Sequence, residues 1–361
     1  MELYENDDYR EYIKKYGFEQ FCKLRLKVVE IQKHPISIYL SRYNIGDNEI
    51  KLFSELITNI DKFQLLTILF LDINNISEKG AKFIAELLII LPCLTTLDLS
   101  FNNICSKGAE YIAESLKINK ILINLNLSYN NIGNKGAEYI IKSITEICGL
   151  QILSLTGNNI DYQGIKSIEL LKKCKIKSLY LNNNNIGNEG AKFIGNLLEN
   201  NKYLEVLDLC NIGINDGIEF ITKSLSTVSN TRNRTYLTKL SLYGNDISGK
   251  RLKFITELLE TNKNLLKLYL WKVNVDDDET KIIIKSLKCN KSLIEFCLSG
   301  DDIDDNDQND IDELLKSNKI NKERISNERA LEKIYLSRCL KYQFRSEFLE
   351  LFNTFAEYEY L

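Results

Sequence analysis

A repeat of 28 residues is the feature that most limits how this chain can fold. The segment LTTLDLSFNNICSKGAEYI at 94–112 returns as LINLNLSYNNIGNKGAEYI at 122–140. The first apolar residue of each unit falls at positions 66, 94, 122, 150, 176, 204, 237, 265 and 293, and six of the eight steps between them are 28 residues long. A fixed period of this length indicates a solenoid in which each unit packs only against its neighbours.

Each unit reads L-x-x-L-x-L-x-x-N-x-I, and the best copies continue with x-x-x-G-A and apolar residues at helical spacing. The L-x-L alternation predicts a short strand whose leucines, such as Leu97 and Leu99, face the core. The segment after Gly108-Ala109 predicts a helix. Strands stack at about 4.8 Å and helices at about 8–10 Å, so the solenoid must bend. We therefore predict an α/β horseshoe with a parallel β-sheet on its concave face and α-helices on its convex face.

This pattern resembles the leucine-rich repeat family over roughly residues 35–320. Its 28-residue period and N-x-I-x-x-x-G-A continuation are similar to the ribonuclease-inhibitor-like subclass, which also occurs in innate immune receptors, Ran GTPase-activating proteins and tropomodulins. The resemblance implies a protein-binding solenoid. It also leaves one catalytic alternative open, the activation of a small GTPase, although no diagnostic residue of such an activator can be mapped onto this chain.

Three regions are predicted. Residues 1–33 lack the repeat and form an N-terminal helical cap or, alternatively, a partner-binding helix. Residues 34–320 form about ten leucine-rich repeats, of which the first and last are degenerate. Residues 321–361 form a degenerate repeat and a C-terminal helical cap.

Two segments interrupt the period. Five extra residues near Arg232 and Arg234 are interpreted as a tolerated surface loop or as a contact loop for an acidic partner. The acidic segment 301–313 carries side chains at the spacing of a calcium loop, but Asp307 stands where such a loop needs glycine. It is interpreted as a solvated insertion, with calcium binding as the alternative.

Composition argues against several classes of function. The net charge is −3, from 47 basic and 50 acidic residues, which favours neither nucleic acid nor a membrane surface as a partner. The chain has neither a secretory signal at its start nor an apolar run of about 20 residues, so we expect a cytoplasmic protein, with the cytoplasm of a host cell as the alternative. Nine scattered cysteines without C-x-x-C spacing predict neither disulfides nor zinc, and with His34 as the only histidine we expect no enzyme, no metal and no cofactor.

The asparagine of each unit is predicted to satisfy backbone groups of a buried turn, so that stacked repeats form an asparagine ladder. Its members are Asn74, Asn102, Asn130, Asn158, Asn184 and Asn245.

Large aromatic and basic residues fall at outward positions in two clusters. The N-terminal cluster is assigned to successive strands and consists of Phe70, Phe101 and Tyr129. The C-terminal cluster, flanked by Lys239, consists of Tyr243, Lys267, Tyr269, Trp271 and Lys272. Aromatic residues dominate interface hot spots, and lysines suit an acidic partner, so the C-terminal cluster is the preferred anchor. Phe101 and Tyr129 fit a turn-shielding role equally well.

The sequence thus predicts a non-catalytic, monomeric scaffold that binds a protein partner on its concave face. A composition rich in isoleucine, asparagine and lysine indicates an AT-rich genome, which adds a further alternative: a factor from an intracellular microbe or virus that acts on host proteins.

Overall fold

The structure is a computed structural model that describes residues 17–20, 36–58, 65–147, 149–226, 236–270, 275–298 and 308–324. Within these residues, ten parallel strands form one sheet in the order of the chain. They are β1 Ile36–Tyr39, β2 Leu66–Phe70, β3 Thr96–Asp98, β4 Asn124–Asn126, β5 Ile152–Ser154, β6 Ser178–Tyr180, β7 Val206–Asp208, β8 Lys239–Ser241, β9 Lys267–Leu270 and β10 Glu295–Leu298.

Helices connect successive strands. They are α1 Asp47–Thr58, α2 Glu78–Ile90, α3 Cys105–Ile118, α4 Gly133–Ile147, α5 Tyr162–Ile165, α6 Gly187–Asn200, α7 Ile218–Leu225, α8 Leu252–Thr261 and α9 Asp277–Leu287. A further helix covers 308–324. The predicted α/β solenoid is confirmed.

The leucines of the repeat build the core. Leu69 of β2 pairs in register with Leu97, which pairs with Leu125 and then Leu153, and each of these side chains is fully buried. The parallel register lets one side chain per strand stack on its equivalent in the next unit. The strands are only three to five residues long, so burial of these stacked leucines, rather than backbone pairing within short strands, is the main stabilising contribution to each repeat.

Small residues at the helix starts allow neighbouring units to approach closely. A Cβ added to Gly108 would lie 2.9 Å from the Cβ of Ala81 in the preceding helix and 2.6 Å from Ile104 Cγ2. A larger residue there would force the two helices apart. The Gly-Ala pair of the repeat therefore has a packing role.

The unit that is 26 residues long has a distinct helix. After the single turn of α5, Lys166–Lys173 continues as a 3-10 helix. Because a 3-10 helix rises about 2.0 Å per residue against 1.5 Å for an α-helix, fewer residues cover the same distance. The shorter unit thereby keeps β6 in register with β5.

Several predictions fall outside the described residues. They include most of the N-terminal cap with His34, where only 17–20 are described and Phe18 joins the core. They also include Arg232, Arg234, residues 301–307 and the C-terminal segment 325–361. Asp310, which belongs to the acidic segment 301–313, lies on the helix 308–324 and forms an ion pair with Lys288 at 2.6 Å.

Candidate functional site

The ladder asparagines lie in the turns after the strands and bond to the backbone of two adjacent units. The side-chain nitrogen of Asn130 donates to Leu99 O at 2.8 Å and to Ser128 O at 3.0 Å. Asn130 also donates its backbone N–H to the side-chain oxygen of Asn158 at 3.0 Å. These bonds link each turn to the next along the loop edge of the sheet.

The other ladder positions repeat this geometry. Each side-chain nitrogen donates to a carbonyl oxygen of the preceding unit, in Asn74, Asn102, Asn158, Asn184 and Asn245. The unit of β7 has Ile212 at this position, fully buried, and Asn245 accepts from its backbone N–H at 3.3 Å. The ladder is therefore interrupted between Asn184 and Asn245.

The N-terminal aromatic residues do not all lie on strands, which corrects the sequence assignment. Phe70 is on β2, half-buried, with its ring 5.1 Å edge-on from Tyr39. Strands β3 and β4 end at Asp98 and Asn126, so Phe101 and Tyr129, three residues later, lie in the turns. Their rings stack at a centroid distance of 4.4 Å and an angle of 17°.

The backbone at this turn position is left-handed. Phe101 has φ 54°, Tyr129 has φ 53° and the equivalent Ile73 has φ 53°. Left-handed backbone costs roughly 1–2 kcal/mol for residues other than glycine and is tolerated best by asparagine and aspartate. A β-branched residue such as Ile73 is a true outlier there.

Other units place conformationally suited residues at the same position. Gly157 has φ 62°, Asn183 has φ 57° and Asn211 has φ 50°. The large residues of three consecutive units are thus held in a conformation that their side chains disfavour. We call Ile73, Phe101 and Tyr129 the turn platform. Their exposed fractions are 39%, 49% and 38%.

Tyr129 is fixed in place by two later units. Its hydroxyl accepts a hydrogen bond from the side-chain nitrogen of Asn183 at 2.7 Å. Its ring lies over Gly157, where an added Cβ would come within 2.4 Å of the ring. Phe101 then stacks on a ring that cannot turn away, so the platform is preorganised. Sequence reasoning missed Ile73, although Ile73 precedes Asn74 just as Phe101 precedes Asn102.

The C-terminal cluster is organised around an acidic residue that sequence reasoning also missed. Glu295 of β10 pairs with Lys267 and accepts a hydrogen bond from the hydroxyl of Tyr269. The ammonium group of Lys239 lies 5.2 Å from the centre of the Tyr269 ring. Parallel pairing places Glu295 beside Lys267, a relation that the repeat register could have revealed.

These contacts favour the neutral form of Tyr269 and the ionised form of Glu295. Burial raises the pKa of Tyr269, and the bond to Glu295 raises it further. Hydrogen bonds from Lys267 and Tyr269 lower the pKa of Glu295. At neutral pH the cluster therefore holds a neutral tyrosine and a negative carboxylate. The charge of Glu295 neutralises that of Lys267, so the cluster attracts an acidic partner less strongly than its lysines alone would. Tyr243 follows β8 and is half-buried; Trp271 and Lys272 lie outside the described residues.

The middle of the concave face is polar, and its side chains bond to one another. Asp98 accepts from Ser100 Oγ at 2.6 Å and from the side-chain nitrogen of Asn126 at 2.9 Å. Further along, Thr156 Oγ1 donates to the side-chain oxygen of Asn182 at 2.6 Å. Groups that already have partners gain little from a new one, so this region offers less for binding than the turn platform.

The described residues offer little evidence for a cysteine nucleophile or a metal site. Burial, followed by the contact with Asp208, raises the pKa of the Cys210 thiol, so the reactive thiolate is disfavoured. No group of three metal-binding side chains is found in the part of the chain that the structure describes. In that part, too, no helix has the length and apolarity needed to cross a membrane.

Comparisons with known proteins support the repeat assignment. The family model described as Leucine Rich repeat matches residues 91–113, 119–140, 148–168 and 172–195. Among solved structures, actin-binding site 2 of leiomodin-1 is similar over 70% of this chain and 96% of that chain, with 14% identity and a TM-score of 0.24. No curated protein sequence matches at a significant level.

Proposed function

We propose that this chain, four units of which match the leucine-rich repeat model between residues 91 and 195, is a non-catalytic scaffold that binds a protein partner. The turn platform is the proposed anchor. The observation that carries this proposal is that Ile73, Phe101 and Tyr129 are exposed while held on left-handed backbone. Strained residues at one surface are characteristic of functional sites.

The platform suits an apolar segment of a partner. Exposed aromatic side chains lose contact with water when a partner covers them, and aromatic residues dominate the energetics of interfaces. The stacked rings of Phe101 and Tyr129 are already in place, so little conformational entropy is lost on binding. The polar concave face beside them would then form the rim of the interface.

The C-terminal cluster remains a second candidate anchor on the concave face. Tyr269 and the ammonium group of Lys239 form a cation–π contact there. A partner that brings its own carboxylate would compete with Glu295 for Lys267. We also propose, from the sequence, that the protein is cytoplasmic and monomeric.

The test uses the natural preference of the turn position for asparagine. The double variant Ile73→Asn and Phe101→Asn removes two apolar side chains and relieves backbone strain, because asparagine tolerates the left-handed region. We expect its thermal midpoint to be equal to or higher than that of the wild type. Affinity capture from a eukaryotic lysate is expected to lose a protein that the wild type retains.

A matched control changes an apolar residue of similar exposure elsewhere. Ile282 on α9 is 49% exposed, and Ile282→Gln should leave capture unchanged. If the platform only shields the turn, the double variant will be less stable and will capture the same proteins, which would refute the proposal. Loss of capture in Tyr269→Ala instead would favour the C-terminal cluster.

A further inference from the structure

The edge of the solenoid at which the helices end and the strands begin carries an apolar patch. Its exposed members are Leu65, Ile90, Ile118, Ile121 and Ile123, with exposed fractions of 44%, 45%, 60%, 44% and 37%. Ile90 and Ile118 are the last residues of α2 and α3. Large apolar side chains exposed along one edge in three successive units are a feature of interaction sites on folded proteins.

Lysines follow directly along the same edge. Ile123 is joined to Gln151, and Gln151 to Lys177, by backbone hydrogen bonds of 2.8 Å each, so the three lie on adjacent units. Lys120, Lys172, Lys173, Lys175 and Lys177 are all exposed. In the described part of the chain none of these five lysines forms an ion pair with a carboxylate.

Helix stability alone does not account for these lysines. Lys172 and Lys173 lie in the last turn of the 3-10 helix, where a positive charge favours the helix end. Lys120, Lys175 and Lys177 lie beyond the helices, where that effect has faded. Glu199 and Glu205 are also exposed on this edge, in the next unit. The five lysines outnumber them, so the net charge of the edge is positive.

The edge is long and regular. The residue before the first apolar position of each unit is Leu65, Ile121, Lys175, Tyr203 or Tyr236 in five of the units from β2 to β8. Six strand spacings of about 4.8 Å separate the first from the last, which makes a row of roughly 29 Å. Equivalent positions face the same side of the solenoid, so one broad surface can touch several of them at once.

We propose that this edge binds the surface of an anionic lipid membrane. Aliphatic side chains entering the interface, lysines near acidic headgroups and tyrosines at the boundary form the chemistry of a peripheral membrane contact. Tyr203 and Tyr236 are 42% and 53% exposed. The overall net charge conceals this local charge, which is why the sequence argued against a membrane.

Vesicle sedimentation tests the proposal with the full chain. Wild-type protein should bind vesicles of phosphatidylcholine with phosphatidylserine and should be released by salt, whereas vesicles of phosphatidylcholine alone should bind it far less. The double variant Lys175→Glu and Lys177→Glu should weaken binding about tenfold or more, because each lysine near an anionic surface adds to the affinity. Ile118→Ser with Ile121→Ser should weaken it as well.

Matched controls separate the edge from general charge. Lys79→Glu with Lys135→Glu makes the same charge change at exposed sites near the helix starts and should alter binding by less than about threefold. Circular dichroism checks that each variant is folded. Failure of the wild type to bind phosphatidylserine vesicles, or equal loss in the control, overturns the proposal.

An acidic protein is the competing occupant. Immobilised poly-glutamate serves as its probe. Binding to poly-glutamate that the Lys175→Glu and Lys177→Glu variant loses, without binding to vesicles, would assign the edge to an acidic protein and refute the membrane contact.

Discussion

The hydroxyl of Tyr129 accepts a hydrogen bond from the side chain of Asn183, two units further along the chain, at 2.7 Å. The ring spans the intervening unit by lying over Gly157. A contact between units that are not adjacent is unusual in a solenoid, where each repeat packs against its neighbours. Here it fixes the exposed stack of Phe101 and Tyr129 against the turns of the following units.

Gly157→Ala is expected to dislodge this ring. Gly157 has φ 62°, and a new Cβ would lie 2.4 Å from Tyr129. Left-handed alanine costs roughly 1 kcal/mol, and displacement of the ring adds about 1 kcal/mol more. Urea unfolding measures the loss of stability, and near-ultraviolet circular dichroism reports the change around the rings.

Gly187→Ala provides the control for that substitution. Gly187 has φ 65° and open space where its Cβ would lie. It should show only the backbone cost of about 1 kcal/mol, with an unchanged near-ultraviolet spectrum. Equal losses of stability and identical spectra in the two variants would show that the ring does not depend on Gly157.

Asn130→Ala is expected to destabilise the solenoid by about 3 kcal/mol. Asn130 is fully buried and its side chain donates to Leu99 O, Leu127 O and Ser128 O, which would lose this partner in a site that excludes water. Asn103→Ala, at the exposed residue that follows the ladder asparagine Asn102 in the preceding unit, should cost less than about 0.5 kcal/mol. Chemical denaturation compares them, and similar losses would contradict a structural role for the ladder.

The sheet and its core of stacked leucines were predictable because they depend on residue spacing within one unit. Leu97 and Leu125 face the core since alternate residues of a strand share a face, whatever the rest of the chain does. The stack of Phe101 on Tyr129 and the bond between Tyr269 and Glu295 depend on which side chains meet across units. Their orientation also depends on backbone angles, such as the left-handed φ of Ile73, which a strand pattern does not specify.

The pH dependence of stability should differ in sign between two aspartates. Burial raises the pKa of Asp72, with Asp98 nearby raising it further, while Ser41 donates to the carboxyl group and opposes the shift. A raised pKa means that the folded state holds the proton more tightly than the unfolded chain does. The contribution of Asp72 is therefore most favourable below its ordinary pKa of 3.8 and is lost as the pH rises through the higher folded value.

Asp72→Asn should consequently be as stable as the wild type at pH 7, or more stable, with the gain shrinking at low pH. Asp216 provides the opposite case. Hydrogen bonds from Lys250 and Arg251 lower its pKa, so its contribution is present above 3.8 and is lost as the pH falls through the lower folded value. Asp216→Asn should therefore lower the thermal midpoint at pH 7 and have little effect at low pH. Thermal unfolding at several pH values measures both, and a destabilised Asp72→Asn at pH 7 would show that its bond with Ser41 outweighs the burial of its charge.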